Sequence, residues 1–309
     1  MKALVIGANG FAGRYMCRDL IEHGYSVIGA DRCASENIRY IDILDQESIG
    51  NIISETKPDI IFNLAGFASV AESWKKPAAS VSLNVIGTIN LLEAVRAVSN
   101  EIKVVLIGSS NQYGSAEGES RLVSEKAVLD PVSPYAISKR CQEDFGITYA
   151  NFYGMDICMT RSFNHIGVGQ SLGFVVTDFA YGISEIEKGN RQSLKVGNLS
   201  SERCFTDVRD AVAAYRLIGE KGKKGTVYNV GTEKAYSMEK LLNILIGFSE
   251  HRIVVETDQS KLRKFDPSCI RCDSSLLRKD TGWEPVYSIE QTLKEILDYY
   301  RNNDIRVNK

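Results

Sequence analysis

Ala3-Leu4-Val5-Ile6-Gly7-Ala8-Asn9-Gly10-Phe11-Ala12-Gly13 is the stretch that decides the fold. Residues 3–6 are a short apolar run that reads as a buried strand. The glycines follow at once, and a helix-like stretch runs from Arg14 to Glu22. Gly7 permits a tight turn, Gly10 lets backbone amides approach a pyrophosphate, and Gly13 allows close helix packing. The unpaired N–H groups and positive dipole end of the helix then face the phosphates. Asn9, Phe11 and Ala12 lie in the same turn and are expected at the cofactor. The spacing is G-x-x-G-x-x-G, a variant of the more familiar G-x-G-x-x-G.

A second strand, 25–30, ends at Asp31, 18 residues after Gly13. That is where a ribose-binding carboxylate belongs. Asp31 accepting from a 2′-hydroxyl favours NAD, whereas the neighbouring Arg32 suits the 2′-phosphate of NADP, so the choice between them stays open. Further candidate strands are 59–64, 103–108, 155–160 and 226–230. Candidate helices are 11–23, 46–56, 79–98, 133–149, 172–188, 207–220, 237–248 and 288–302. Such alternation predicts an α/β chain with a doubly wound parallel sheet covered on both faces. Residues 162–204, richer in Gly, Asn and Ser, interrupt it. The expected division is a dinucleotide-binding domain, 1–161 with 205–233, and a smaller α/β substrate lobe, 162–204 with 234–309.

Cofactor and substrate groups are expected at the carboxyl ends of the parallel strands. Asp42 and Ile43 lie in one such loop. Leu64, Ala65 and Gly66 follow the strand that ends near Asn63, and Ser109 and Ser110 follow the strand that ends at Gly108. The segment Ser133-Pro134-Tyr135-Ala136-Ile137-Ser138-Lys139 carries the chemistry. Ser133 can cap a helix and Pro134 suits its first position. Tyr135 and Lys139, four apart, then share one helix face. A nearby ammonium is expected to lower the tyrosine pKa and make Tyr135 a general acid/base near neutral pH.

The chain has 309 residues and a net charge of −2, enough for a full core and two lobes and unlike a dedicated nucleic-acid binder. No apolar run approaches a membrane-spanning length, and the first residues already form a strand rather than a leader. Seven scattered cysteines suit a reducing cytosol, and Cys269-x-x-Cys272 has no second pair to complete a zinc site. Three histidines offer little for a metal or a triad, and His165 reads as a packed residue.

Together these residues resemble the extended short-chain dehydrogenase/reductase family: GxxGxxG, the acid after strand two, Asn63-Leu64-Ala65-Gly66, Ser109, YxxxK, and Arg161-Ser162-Phe163-Asn164. The resemblance implies a Rossmann domain, bound NAD(P)H, nucleotide-sugar substrates, Ser162 at the cofactor, and a homodimer formed through helices near 79–98 and 133–149. Arg161 to Val175, Lys195 to Leu199, Arg203 to Asp210 and Thr281-Gly282-Trp283-Glu284-Pro285 look like one subgroup, the GDP-6-deoxy-D-mannose reductases. That likeness implies a GDP-sugar site using Ser110, Asn111, Asn164, Val175, Lys195, Arg203, Arg263 and Asp266. Val168 and Cys204 depart from the subgroup's pattern. Asn111 departs too: it stands where related 4,6-dehydratases carry a glutamate base, and an amide cannot be that base. The implied reaction is reduction of a sugar C4 ketone, with Tyr135 as proton donor, Ser109 on the carbonyl oxygen and Lys139 on the nicotinamide ribose. A nucleotide-sugar 4-epimerase with tightly held NAD would use the same three residues, and a non-catalytic NAD(P)-sensing protein would share the fold.

Overall fold

The structure, a computed structural model, describes residues 1–114, 121–261 and 270–303. Seven strands form the central sheet in the spatial order Val227–Val230, Ile157–Ser162, Lys103–Ile107, Ile60–Asn63, Lys2–Ile6, Ser26–Asp31, Ile38–Tyr40. Every neighbouring pair is parallel. The six expected strands are all present. The seventh, Ile38–Tyr40, is a three-residue, largely exposed edge, too short to show a period in sequence.

Side chains alternate across this sheet because successive β-carbons point to opposite faces. Leu4 and Ile6 enter a core shared with Ile61, Val104, Leu106, Ile157 and Met159, whereas Ala3 and Val5 enter another with Ile60, Phe62, Val105 and Cys158. Helices Gln46–Thr56 and Gly87–Val98 cover the first face with Ile49, Ile53, Leu91, Leu92 and Val95. Helices Phe11–Glu22 and Val208–Lys221 cover the second with Met16, Leu20, Val212, Tyr215 and Ile218. Both faces are therefore apolar, so the strands read as continuous hydrophobic runs.

The chain leaves Lys2–Ile6 toward one edge and returns at Ile60–Asn63 to build toward the other. The crevice at such a reversal is where dinucleotides bind in this architecture. Here the two loops meet closely: a β-carbon at Gly7 would stand 2.8 Å from the backbone nitrogen of Ala65.

The smaller lobe holds a three-stranded sheet in the order Ala235–Ser237, Glu202–Asp207, Asn164–Ile166. Helices Val175–Glu187, Met238–Gly247 and Ile289–Asn302 surround its core of Phe179, Ile183, Leu241, Leu245, Leu293 and Leu297. Two expected boundaries move. Strand Glu202–Asp207 belongs whole to the smaller sheet, so the chain re-enters the large domain at about Asp207 rather than at 205. Helix Ser275–Thr281 and the following Trp283, expected in the lobe, pack instead into the large domain through Leu277 and the indole. Trp283 is fully buried and its Nε1 donates to Asp210 O at 2.9 Å.

The helix expected at 79–98 begins at Pro77 and contains a wide π turn, Ser82–Ile86. This stretch, Pro77–Val98, contains an 18-residue window with a mean hydropathy of 1.4 and is long and apolar enough by composition to cross a membrane, contrary to the expectation that no run approaches such a length. Half of that window is buried within the protein, as in the core helix of a folded domain.

Candidate active site

The glycine turn is built as a cradle that side chains would fill. A β-carbon at Gly13 would lie 2.0 Å from Gly7 O, and Gly7 itself has φ +87°. Helix Phe11–Glu22 starts with no side-chain cap and no acidic residue in its first turn. Its leading N–H groups are thus not answered by an internal carboxylate, and the concave backbone fits the pyrophosphate of a dinucleotide. Asn9 fastens the next loop to this turn: its backbone N–H donates to Asp31 Oδ2 at 3.1 Å and its Nδ2 to Cys33 O at 2.6 Å. Asp31 therefore ends its strand beside the cradle, with Arg32 exposed next to it. Ala12 is half-buried in the turn. Phe11 stacks on His165 with ring centroids 5.9 Å apart, which ties the cradle to the smaller lobe. Burial lowers the His165 pKa. The imidazole is a packing element, as the sequence suggested.

Asp42 turns its carboxylate to its own loop, accepting from Leu44 N at 2.9 Å. Ile43 is buried, and its carbonyl accepts from Asn90 Nδ2 at 3.2 Å. Leu64 and Ala65 lie against Gly7, and a β-carbon at Gly66 would be 3.6 Å from the Lys139 ammonium. The Ser162 hydroxyl is held by Tyr215, whose phenol donates to it at 2.8 Å, and lies 3.1 Å from Thr160 Oγ1.

The catalytic candidates meet at the sheet's carboxyl edge. Strand Lys103–Ile107 delivers Ser109, whose Oγ caps the short helical turn Ser110–Tyr113 by accepting from Asn111 N at 3.2 Å. Asn111 Nδ2 donates to the same oxygen at 3.1 Å. Helix Pro134–Phe152 delivers the other two; Ser133 caps it by accepting from Ala136 N at 3.1 Å, and Pro134 takes its first position. Tyr135 and Lys139 are 8% and 7% exposed, so both point inward.

The electrostatics correct one expectation. Burial raises the Tyr135 pKa, and a hydrogen bond with Ser109 acts the other way without reversing it. Lys139 does not supply the expected lowering, because its ammonium is turned to Ile107 O and Gln142 Oε1, each 2.8 Å away. Burial in turn brings Lys139 down to about 8. Desolvation disfavours the charged form of each group. Tyr135 is therefore a neutral phenol near pH 7, suited to giving a proton rather than taking one.

Asn84 escaped the sequence reading. It lies in the π turn, 1% exposed, and its Oδ1 accepts from Phe67 N at 2.8 Å while its Nδ2 donates to Ser138 Oγ at 2.8 Å. Ser138 in turn donates to Tyr135 O at 2.8 Å, and Ser73 Oγ accepts from Tyr135 N at 3.2 Å. Both backbone groups of Tyr135 are thus held by side chains. The available signal was an asparagine set between Leu83 and Val85, where a buried amide must find partners.

The expected substrate residues spread over the smaller lobe and the Ser109 turn. Ser110 is half-buried and Asn111 exposed. Asn164 is exposed, with Nδ2 3.4 Å from Cys204 O. Val175 opens helix Val175–Glu187, Lys195 is exposed on strand Leu194–Val196, and Arg203 lies on strand Glu202–Asp207. Cys204 is buried among Tyr113, Phe163 and Cys272, so an aspartate there would lack water. Arg263 and Asp266, like Cys269, fall outside the described residues. Among the described residues no cluster of metal-ligating side chains occurs.

Comparison with known proteins supports the fold and the family. The family model described as GDP-mannose 4,6 dehydratase matches residues 4–296. GDP-6-deoxy-D-mannose reductase of Pseudomonas aeruginosa is 29% identical over 299 residues, covering 96% of both chains. GDP-6-deoxy-D-talose 4-dehydrogenase of Aggregatibacter actinomycetemcomitans is 31% identical over 90% of both. The solved structure of RMD from Pseudomonas aeruginosa complexed with NADPH superimposes with a TM-score of 0.86 at 28% identity, covering 97% of this chain and 98% of that one. By fold, by glycine cradle and by match along nearly its whole length, this chain belongs to the GDP-mannose 4,6 dehydratase family of extended short-chain dehydrogenase/reductases.

Proposed function

We propose that the protein reduces the C4 ketone of GDP-4-keto-6-deoxy-D-mannose with NAD(P)H to a GDP-6-deoxyhexose, GDP-D-rhamnose in the first instance. The observation that carries this reading is the convergence of Ser109 with the inward-facing Tyr135 and Lys139 at the carboxyl edge of the sheet that also holds the glycine cradle. Reduced nicotinamide supplies a hydride to the carbonyl carbon. Tyr135 then delivers its proton to the carbonyl oxygen, and Ser109 hydrogen-bonds that oxygen as charge develops on it. Lys139 leaves its internal acceptors for the nicotinamide ribose and stabilises the tyrosinate that remains.

Asn111 supports reduction over dehydration, because a neutral amide is too weak a base to remove a carbon-bound proton. A 4-epimerase would use the same Ser109, Tyr135 and Lys139 and differs in keeping its NAD bound and showing no net redox. The glycine cradle with Asp31 and Arg32 holds the dinucleotide. Asn164, Val175, Lys195 and Arg203 hold the nucleotide diphosphate. Exposed Val81 and Ile86 on one helix and Ile137 and Phe152 on the other form an apolar surface consistent with a homodimer through those helices.

The test is to mix purified protein with freshly generated GDP-4-keto-6-deoxy-D-mannose and NADH or NADPH, and to follow loss of the reduced nicotinamide. Stoichiometric oxidation with a GDP-6-deoxyhexose identified by NMR is the expected result and also gives cofactor preference and C4 configuration. Folded, cofactor-binding protein that leaves this substrate unreduced would overturn the assignment. Co-purifying stoichiometric NAD together with turnover lacking net redox would move it to the epimerase.

A further inference from the structure

The smaller lobe contains a cavity of about 580 Å³, away from the Ser109–Tyr135–Lys139 cluster. Its size suits a small-molecule site. Among its walls are Asp178, Tyr181, Arg191, Lys195, Asp258 and Lys261, a mixture of two carboxylates, three cations and one aromatic ring. Lys195 belongs to the expected diphosphate site, and Val175 lies one helical turn before Asp178. The cavity therefore adjoins the place where the nucleotide end of the substrate is proposed to lie.

Asp178 and Tyr181 are three apart on helix Val175–Glu187 and so share a face. Arg191 lies over the Tyr181 ring at 5.0 Å, and that ring packs edge-on to Tyr300 at 5.6 Å. The result is a fixed flat wall. Asp178 is oriented by Gly173, whose N–H donates to Oδ1 at 2.8 Å. Among the described residues, Oδ2 accepts no hydrogen bond. Asp258 is differently placed, since its Oδ1 already accepts from Ser260 N at 2.9 Å and Ser260 Oγ at 2.7 Å.

We infer that this cavity is the base subsite and that Asp178 reads guanine through its N1–H and N2-amino edge, with the Tyr181–Arg191 wall against the base plane. This deepens the GDP-sugar reading and rests on it. Guanine is the common nucleobase that presents two adjacent donors on one edge. A carboxylate accepts both in a charge-assisted pair. Uracil and thymine offer one donor between two carbonyl oxygens, and adenine offers a ring acceptor; each sets a lone pair against the carboxylate. The cations Lys195 and Lys261 offset the Asp178 charge where the diphosphate follows.

The experiment is calorimetric titration of the full chain with GDP, IDP and UDP. IDP keeps N1–H and lacks only the 2-amino group. Wild-type protein should bind GDP roughly tenfold more tightly than IDP, in line with loss of one member of a bidentate pair. Asp178→Asn keeps an acceptor for Gly173 N–H and removes the charge; it should bring the GDP/IDP ratio close to one while leaving NADPH binding and thermal stability unchanged. Asp258→Asn should keep the wild-type ratio. An unchanged ratio in Asp178→Asn, or a collapse in Asp258→Asn instead, would overturn the inference while leaving the GDP-sugar reading intact. Wild-type protein that binds UDP as tightly as GDP would overturn that reading as well.

Discussion

The Lys139 ammonium sits 2.8 Å from the carbonyl oxygen of Ile107, the last residue of the strand that delivers Ser109. The catalytic helix and the central strand are thus joined by the same side chain that is proposed to hold the cofactor. Its hydrogen bonds lie in a buried place, and burial brings its pKa down to about 8.

Lys139 should set an alkaline limit to activity. Because burial keeps Tyr135 protonated over the same range, the first charge lost as pH rises is that of Lys139. The value of kcat/KM should therefore fall as pH passes about 8. Measurement of the pH–rate profile with NADPH saturating and limiting checks this, and a profile flat to pH 10 would contradict it.

The same group should cost the cofactor-free protein stability. Its folded pKa, about 8, lies below the ordinary 10.5. Between those values the unfolded chain binds more protons, so stability rises with pH there and the penalty is full below about 8. Lys139→Met should thus be more stable than wild type at pH 7, by up to about 3 kcal/mol, with the gap closing toward pH 10 while turnover is lost. Urea denaturation at several pH values reads both the size and the sign.

Tyr135→Phe keeps the ring and removes the proton donor. Turnover should drop by roughly 10²–10⁴-fold, the usual weight of a positioned acid. NADPH affinity, followed by fluorescence, should be unchanged, because the backbone groups at this position remain held by Ser73 and Ser138. Near-normal turnover would remove Tyr135 from the mechanism.

Two glycine-to-alanine changes should behave oppositely. Gly13→Ala places a β-carbon 2.0 Å from a backbone oxygen of the cradle, which side-chain movement cannot relieve, so NADPH binding should be lost. Gly50→Ala lies in helix Gln46–Thr56 with nothing within 4 Å of the new carbon, and should stabilise the protein by about 0.5–1 kcal/mol. Thermal melts and cofactor titrations of both variants make the comparison.

Trp283→Ala should destabilise the protein by about 3–5 kcal/mol. The indole is fully buried and its N–H satisfies Asp210 O. The loss should appear in the denaturation midpoint and equally in NADPH affinity at elevated temperature, since the wall it supports belongs to the dinucleotide domain.

What could be read in the residues was local. The glycine spacing, the acid at the end of a strand and the four-residue separation of Tyr135 from Lys139 each act within one turn or one helix. Six of the seven large-sheet strands announced themselves as apolar runs, because both faces of the sheet are covered. The sign of the Tyr135 pKa shift was not legible: it depends on how deeply the phenol is buried and on where the Lys139 side chain turns. Asn84 reaches Phe67, 17 positions before it, and Ser138, 54 positions after it, and no spacing rule connects them. Trp283 was recognised as part of a motif, yet its place against Asp210, 73 positions earlier, emerges only when the chain closes on itself.

That closure has a consequence for biosynthesis. The core beneath the first strand contains Leu277 and Trp283, which leave the ribosome after all of the smaller lobe except its last helix, Ile289–Asn302, has been made. The cofactor half cannot finish on its own as the nascent chain emerges. It must wait, open along one helix, for a late segment to return. Arrested nascent chains ending between 233 and 275 should therefore stay protease-sensitive across helix Val208–Lys221, and protection should arrive only once residue 283 has cleared the exit tunnel.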